Sequence, residues 1–151
     1  TLHDLRQHIV WLPNYADGGF IENVVEKTIA KGRGKEVEYS AYHADFTPWN
    51  MFVESGKLFV FDWEYSRLTY PPQLDRYHFF TQTAIFEKRW QAKEIIEYLQ
   101  SPHAEWADKE VYTLYLLDII SRFTLREKGK IEGDVACSMS IWTDLLIMLN
   151  K

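Results

Sequence analysis

Cysteine is nearly absent: Cys137 stands alone among 151 residues. A single thiol forms neither an intrachain disulfide nor a Cys-cluster zinc site, so the sequence offers no covalent or zinc staple. Basic charge is also in short supply, with 17 Lys and Arg against 22 Asp and Glu and a formal net charge of −5. That balance lacks the basic surface on which broad nucleic-acid binding depends, and no nucleic-acid partner is expected. No apolar run approaches the ~20 residues of a membrane span, so no membrane partner is expected either. No signal-peptide pattern opens the sequence, and the expected compartment is the cytoplasm. Repeats and low-complexity tracts are missing. Apolar residues are plentiful, at 46%, and aromatics reach 16%. That is material for a packed core and argues against wholesale disorder. The length suits one domain rather than two.

Helical periodicity dominates the chain. Leu2, Leu5, Ile9 and Leu12 share one stripe, and Pro13 is the expected stop. Residues 14–19 read as a turn. Ile21, Val24, Val25, Thr28 and Ile29 give a second amphipathic helix with Gly32 as its C-terminal stop. The basic loop of Lys31, Arg33 and Lys35 reads as a solvated helix end or as an anion site. After Pro71 and Pro72, a helical face carries Leu74, Tyr77, His78, Thr81 and Ile85. A further helix runs through Ala92, Ile95, Ile96 and Leu99. Residues 109–126 are apolar on most faces, as a central buried helix requires. Val135, Met139, Trp142, Leu146 and Leu149 mark the last helix.

Residues 50–62 break this pattern. Met51 to Val53 and Leu58 to Phe61 are short apolar runs around Ser55 and Gly56, the signature of a β-hairpin with a two-residue turn. Pairing through that turn sets Glu54 against Lys57, Phe52 against Phe59 and Asn50 against Phe61. Asn50 and Asp62 then emerge at one end of the hairpin. A strict pleat aims them at opposite faces, so at least one must lie beyond the regular ladder for both to reach one ion. Asp45 precedes Asn50 in a loop interrupted by Pro48. Two carboxylates and a carboxamide thus converge, an oxygen set that suits Mg²⁺ completed by water and phosphate.

The order His43-x-Asp45-x-x-x-x-Asn50, hairpin, Asp62 resembles the catalytic loop and metal-binding Asp of protein-kinase-like enzymes. It is closest to the aminoglycoside phosphotransferase and choline kinase branch, where H-G-D-x-x-x-x-N precedes a hairpin and then D-[FW]-[EG]. Phe61-Asp62-Trp63-Glu64 fits, and Tyr70 to Asp75 resembles the downstream segment with its second Asp. The resemblance implies an α+β, predominantly α-helical fold: the helical C-terminal lobe of the kinase-like fold, spanning residues 1–151, with one small β-hairpin. It implies Asp45 as catalytic base, with His43 bracing the same loop. It implies Asn50 and Asp62 as ligands of Mg²⁺ against the phosphates of ATP or GTP. The acceptor would be a small-molecule hydroxyl, on an amino sugar, a sugar or an amino alcohol. Asp75 reads either as the acid that anchors the catalytic loop or as a helix N-terminal carboxylate. Ala44 stands where the family usually has Gly, a mild departure.

Other residues invite plainer readings. Phe46, Trp49, Phe61 and Trp63 read as packing residues, Cys137 as a small buried hydrophobe, and His3, His8, His78 and His103 as surface or core histidines. Asp118 pairs with Arg122 one turn on, or faces a substrate cleft. Glu64 and Asp144 are further candidate acids for an acceptor. No G-x-G-x-x-G and no strand Lys precede His43, and the chain starts at Thr1 rather than Met. The expectation is a fragment whose N-terminal nucleotide lobe lies elsewhere in a longer protein. Beside the phosphotransferase stands a second expectation: a non-catalytic kinase-like module binding a ligand or protein, inactive as an isolated fragment. A metal-dependent hydrolase using His43, Asp45 and Asp62 is weaker, for want of further His ligands.

Overall fold

A computed structural model describes residues 2–8, 11–12, 18–34, 36 and 38–151. The stop expected at Pro13, Ile9 of the first stripe, turn residues 14–17 and Lys35 of the basic loop lie outside the described residues. The architecture is mixed α+β and mostly helical, with six α-helices and four short strands among the described residues. Two compact units emerge: Thr1–Lys35 with Gln91–Lys151, and Glu36–Trp90. No helix among the described residues is long and apolar enough to cross a membrane.

The first unit is all helix: α1 (Leu2–Gln7), α2 (Gly18–Gly32), α4 (Ala92–Leu99), α5 (Lys109–Arg126) and α6 (Gly133–Asn150). α1 is shorter than its apolar stripe suggests. Beyond Gln7 the His8 N–H bonds back to the Asp4 and Leu5 carbonyls, and the chain turns through Trp11 to buried Leu12. α5 is the central element, with Tyr115, Leu116, Leu117, Ile119 and Ile120 fully buried against α6 and α1. It starts where Asp108 Oδ1 accepts the Glu110 and Val111 N–H groups at 2.7 and 3.0 Å, a cap contributing about 1 kcal/mol. Within α5, Arg122 Nε lies 3.3 Å from Asp118 Oδ2, an ion pair off the ideal hydrogen-bond direction. Asp118 therefore takes the paired reading. α6 buries Met139, Trp142, Leu145 and Leu146. Cys137 is exposed, contrary to expectation. Two positions from Met139 is about 200° round a helix, which places it on the opposite side.

The second unit carries β1 (Ser40–Tyr42), β2 (Met51–Glu54), β3 (Lys57–Val60), β4 (Arg67–Tyr70) and α3 (Leu74–Phe86). β2 and β3 form the expected hairpin, with Phe52 opposite Phe59 and Glu54 opposite Lys57. Ser55 and Gly56 both have positive φ, 50° and 73°, as a type I′ connection requires. A second ribbon corrects the expectation of a single hairpin: β1 pairs antiparallel with β4, Ser40 opposite Tyr70 and Tyr42 opposite Arg67, with a register shift between. Strands of three and four residues carry too little periodicity to read. The Tyr42 and Tyr70 rings meet across this ribbon, tilted by 32° with centroids 5.0 Å apart. α3 begins after Gln73, itself left-handed at φ 73°, and buries the face Leu74, Tyr77, His78, Thr81 and Ile85.

Candidate active site around Asp45

The loop from His43 to Asn50 leaves β1 and is held by backbone hydrogen bonds before any chemistry enters. Asp75, in the first turn of α3, accepts the His43 N–H on Oδ2 at 2.8 Å and the Ala44 N–H on Oδ1 at 3.0 Å. One carboxylate thus satisfies two successive donors, each bond strengthened by its charge. Between the alternatives for Asp75, its carboxylate serves the loop.

Ala44 is buried and left-handed, with φ 70°. A Cβ in this region costs roughly 1–2 kcal/mol, and burial of the Ala44 methyl offsets part of that strain. The kink turns the chain so that the Asp45 N–H donates to His43 Nδ1 at 3.2 Å. Nδ1 is an acceptor there, which puts the ring proton on Nε2, 3.0 Å from the Phe61 carbonyl. Both nitrogens of this buried imidazole are committed to backbone, and His43 ties the loop to the end of β3. Trp63 lies over the same ring, 4.5 Å between centroids.

Asn50 closes a 3₁₀ turn, Pro48–Asn50, whose last N–H bonds to the Thr47 carbonyl. That turn answers the pleat problem, because Asn50 lies just before the ladder begins at Met51. Its backbone carbonyl still accepts the Phe61 N–H at 3.1 Å, as the expected register requires. Its side-chain Nδ2 donates to the Asp45 carbonyl at 3.0 Å and to Asp45 Oδ2 at 2.7 Å. Both amide hydrogens are then used on Asp45, and Oδ1 is the atom left to offer a cation.

Asp62 follows Phe61 in the left-handed region, φ 64°. It is exposed and makes no hydrogen bond or ion pair to a described residue. Asp tolerates this conformation better than most side chains, and the carboxylate, bonded to no described residue, lies exposed. Asn50 Oδ1 and the Asp62 carboxylate are hard oxygen donors, and among the described residues no cluster of three or more His, Cys, Asp or Glu forms a metal cage. Oxygen donors of this kind are the ones Mg²⁺ takes, with water and phosphate completing its shell.

The Asp45 side chain itself is 32% exposed. Oδ2 accepts from Asn50, and Oδ1 lies 3.1 Å from Nε2 of His78, a buried residue of α3. Reading the sequence passed over His78. Its signal was the spacing from Asp75, since positions three apart on a helix share a face. Trp49, Phe52, Phe59, Phe61 and Trp63 are half-exposed rather than interior, up to 54% for Trp63. Phe52 stacks flat on Phe59 at 5.1 Å, with Phe61 beside it. The hairpin thus presents an aromatic surface next to Asn50 and Asp62.

Compared with protein-family models, curated proteins and solved structures, the chain matches none.

Proposed function

We propose that this chain is the helical C-terminal lobe of a protein-kinase-like phosphotransferase of the aminoglycoside phosphotransferase and choline kinase kind, acting in the cytoplasm on a small-molecule hydroxyl. One observation carries the reading. A partly exposed Asp45 carboxylate is gripped by Asn50, at the end of a hairpin whose other strand leads into exposed, left-handed Asp62.

In the proposed reaction the acceptor oxygen bonds to the γ-phosphorus of ATP or GTP. The bond from that phosphorus to its bridging oxygen breaks, and the nucleoside diphosphate leaves. Asp45 accepts the hydroxyl proton, its carboxylate having lone pairs beyond the two hydrogen bonds it already receives. Asn50 through Oδ1 and Asp62 through its carboxylate would hold Mg²⁺, which supplies charge neutralisation beside the phosphates when bound. His43 and Asp75 hold the loop so that Asp45 need not reorganise as the proton moves. The net charge of −5 is compatible with a cationic acceptor such as an amino sugar or amino alcohol.

The test is phosphoryl transfer from labelled ATP and GTP, with Mg²⁺, by the two-lobed protein that joins this chain to its nucleotide lobe, to a panel of amino sugars, sugars and amino alcohols. Asp45→Ala should lower turnover by a factor of about 10² or more. Full turnover in that variant would overturn the role of Asp45. A second reading, a binding module without catalysis, draws on the half-exposed aromatic hairpin. Failure of the folded two-lobed protein to transfer phosphate to any acceptor favours it.

A further inference from the structure

α3 touches the catalytic loop twice from one face. Asp75 grips the backbone at His43 and Ala44. Three residues further on, His78 reaches the Asp45 side chain, with Nε2 3.1 Å from Oδ1. His78 is buried, at 3% exposure, so it meets neither a solvent-borne acceptor nor a nucleotide. Its ring is locked among packed neighbours, and a buried imidazole needs partners for its polar atoms. Asp45 supplies one.

We infer that His78 is a positioning residue that fixes the orientation of the Asp45 carboxylate. A free Asp side chain rotates about two torsions, and its terminal torsion is soft. Here each oxygen has its own tether. Asn50 Nδ2 holds Oδ2 at 2.7 Å, and His78 Nε2 holds Oδ1. One tether alone leaves the carboxylate free to swing about the bonded oxygen, whereas two on different oxygens set its plane. The tethers come from separate elements, the 3₁₀ turn before β2 and the buried face of α3. A carboxylate so held presents its remaining lone pairs in one direction, which is what proton acceptance from a bound hydroxyl requires. The catalytic consequence rests on the phosphotransferase reading; the tether itself does not.

Two substitutions separate tether from packing. Gln carries its amide nitrogen about as far from Cβ as His carries Nε2, so His78→Gln keeps the donor, while His78→Leu keeps bulk without it. In the phosphotransfer assay His78→Leu should lower kcat about tenfold or more with KM for the acceptor little changed, and His78→Gln should recover most of the loss. Unchanged kcat in a folded His78→Leu protein would overturn the inference. A second measurement needs no activity. In the ¹⁵N spectrum of the five histidines, the His78 Nε2 signal is assigned by its loss in His78→Gln. It should move when Asp45 is changed to Ala, and an unmoved signal overturns the tether. If the two-lobed wild-type protein transfers no phosphate while this signal does move, the phosphotransferase reading fails and the His78–Asp45 tether stands.

Discussion

Ala44 concentrates competing terms in one methyl group. Its φ of 70° costs an L-residue roughly 1–2 kcal/mol relative to Gly. Against that, the methyl is buried, worth about 0.8 kcal/mol. Gly would also add unfolded-state entropy, a further loss of about 0.4–1 kcal/mol. These terms nearly cancel. Ala44→Gly should therefore leave the urea midpoint close to that of the wild type, with a change below about 1 kcal/mol. Ala44→Val has no such compensation, because a β-branched side chain at positive φ is a steric outlier in a filled site. It should lower stability by about 2 kcal/mol or more, read from the same denaturation curves. Asp62 sits in the same backbone region but escapes this accounting, because Asp tolerates the left-handed conformation better and its side chain faces no packed wall.

Among the elements, α3 does the most for the site. Asp75→Ala strands two N–H groups, one of them on buried Ala44, and removes two charge-assisted bonds. The expected cost is about 3 kcal/mol in chemical denaturation, with Asp75→Asn between that and the wild type, since an amide oxygen replaces only one acceptor. In the helical unit the turn after α5 is set by Gly129, at φ 76°, where an added Cβ would lie 2.9 Å from the Cβ of Trp11. Gly129→Ala thus meets strain and overlap together and should cost about 2 kcal/mol, seen as a fall of several degrees in melting temperature. The hairpin was legible in the sequence because its turn chemistry and cross-strand partners are local. β1 and β4 were not, because their pairing joins segments separated by the whole loop and hairpin. His78 escaped for the same reason. A histidine on an apolar face looks like any core histidine until Asp45, 33 positions away, arrives beside it.

For the molecule as a whole, binding and stability are separable at Asp62. Its carboxylate is exposed and makes no bond to a described residue, so Asp62→Asn removes nothing that holds the fold. The variant should keep its melting temperature within about 2–4 °C, the shift that 1 kcal/mol gives at this size, while the same substitution in the two-lobed protein should lose Mg²⁺-dependent nucleotide binding by calorimetry. Global unfolding would make Asp62 structural and remove it from the metal site. The half-exposed aromatics of the hairpin belong to this scale too. Trp49, Phe61 and Trp63 read from the sequence as packing residues, but a short hairpin has two faces and too little mass over either to cover them.

The sequence by itself determined the local features. Helical stripes specify α2 to α6, Ser55 and Gly56 specify the hairpin, and the order Asp45, Asn50, Asp62 specifies which oxygens are brought toward one end of it. Each depends on neighbours within a few residues, where periodicity and turn geometry act directly. Tertiary structure alone decided how the Asp45 loop is held. The Asp75 clamp, the His43 bridge to Phe61, and the His78 tether all join segments distant in sequence, through one or two hydrogen bonds each that no periodicity encodes. The left-handed turn at Ala44 is likewise a consequence of that framework, since alanine would not choose such a conformation from its own preference.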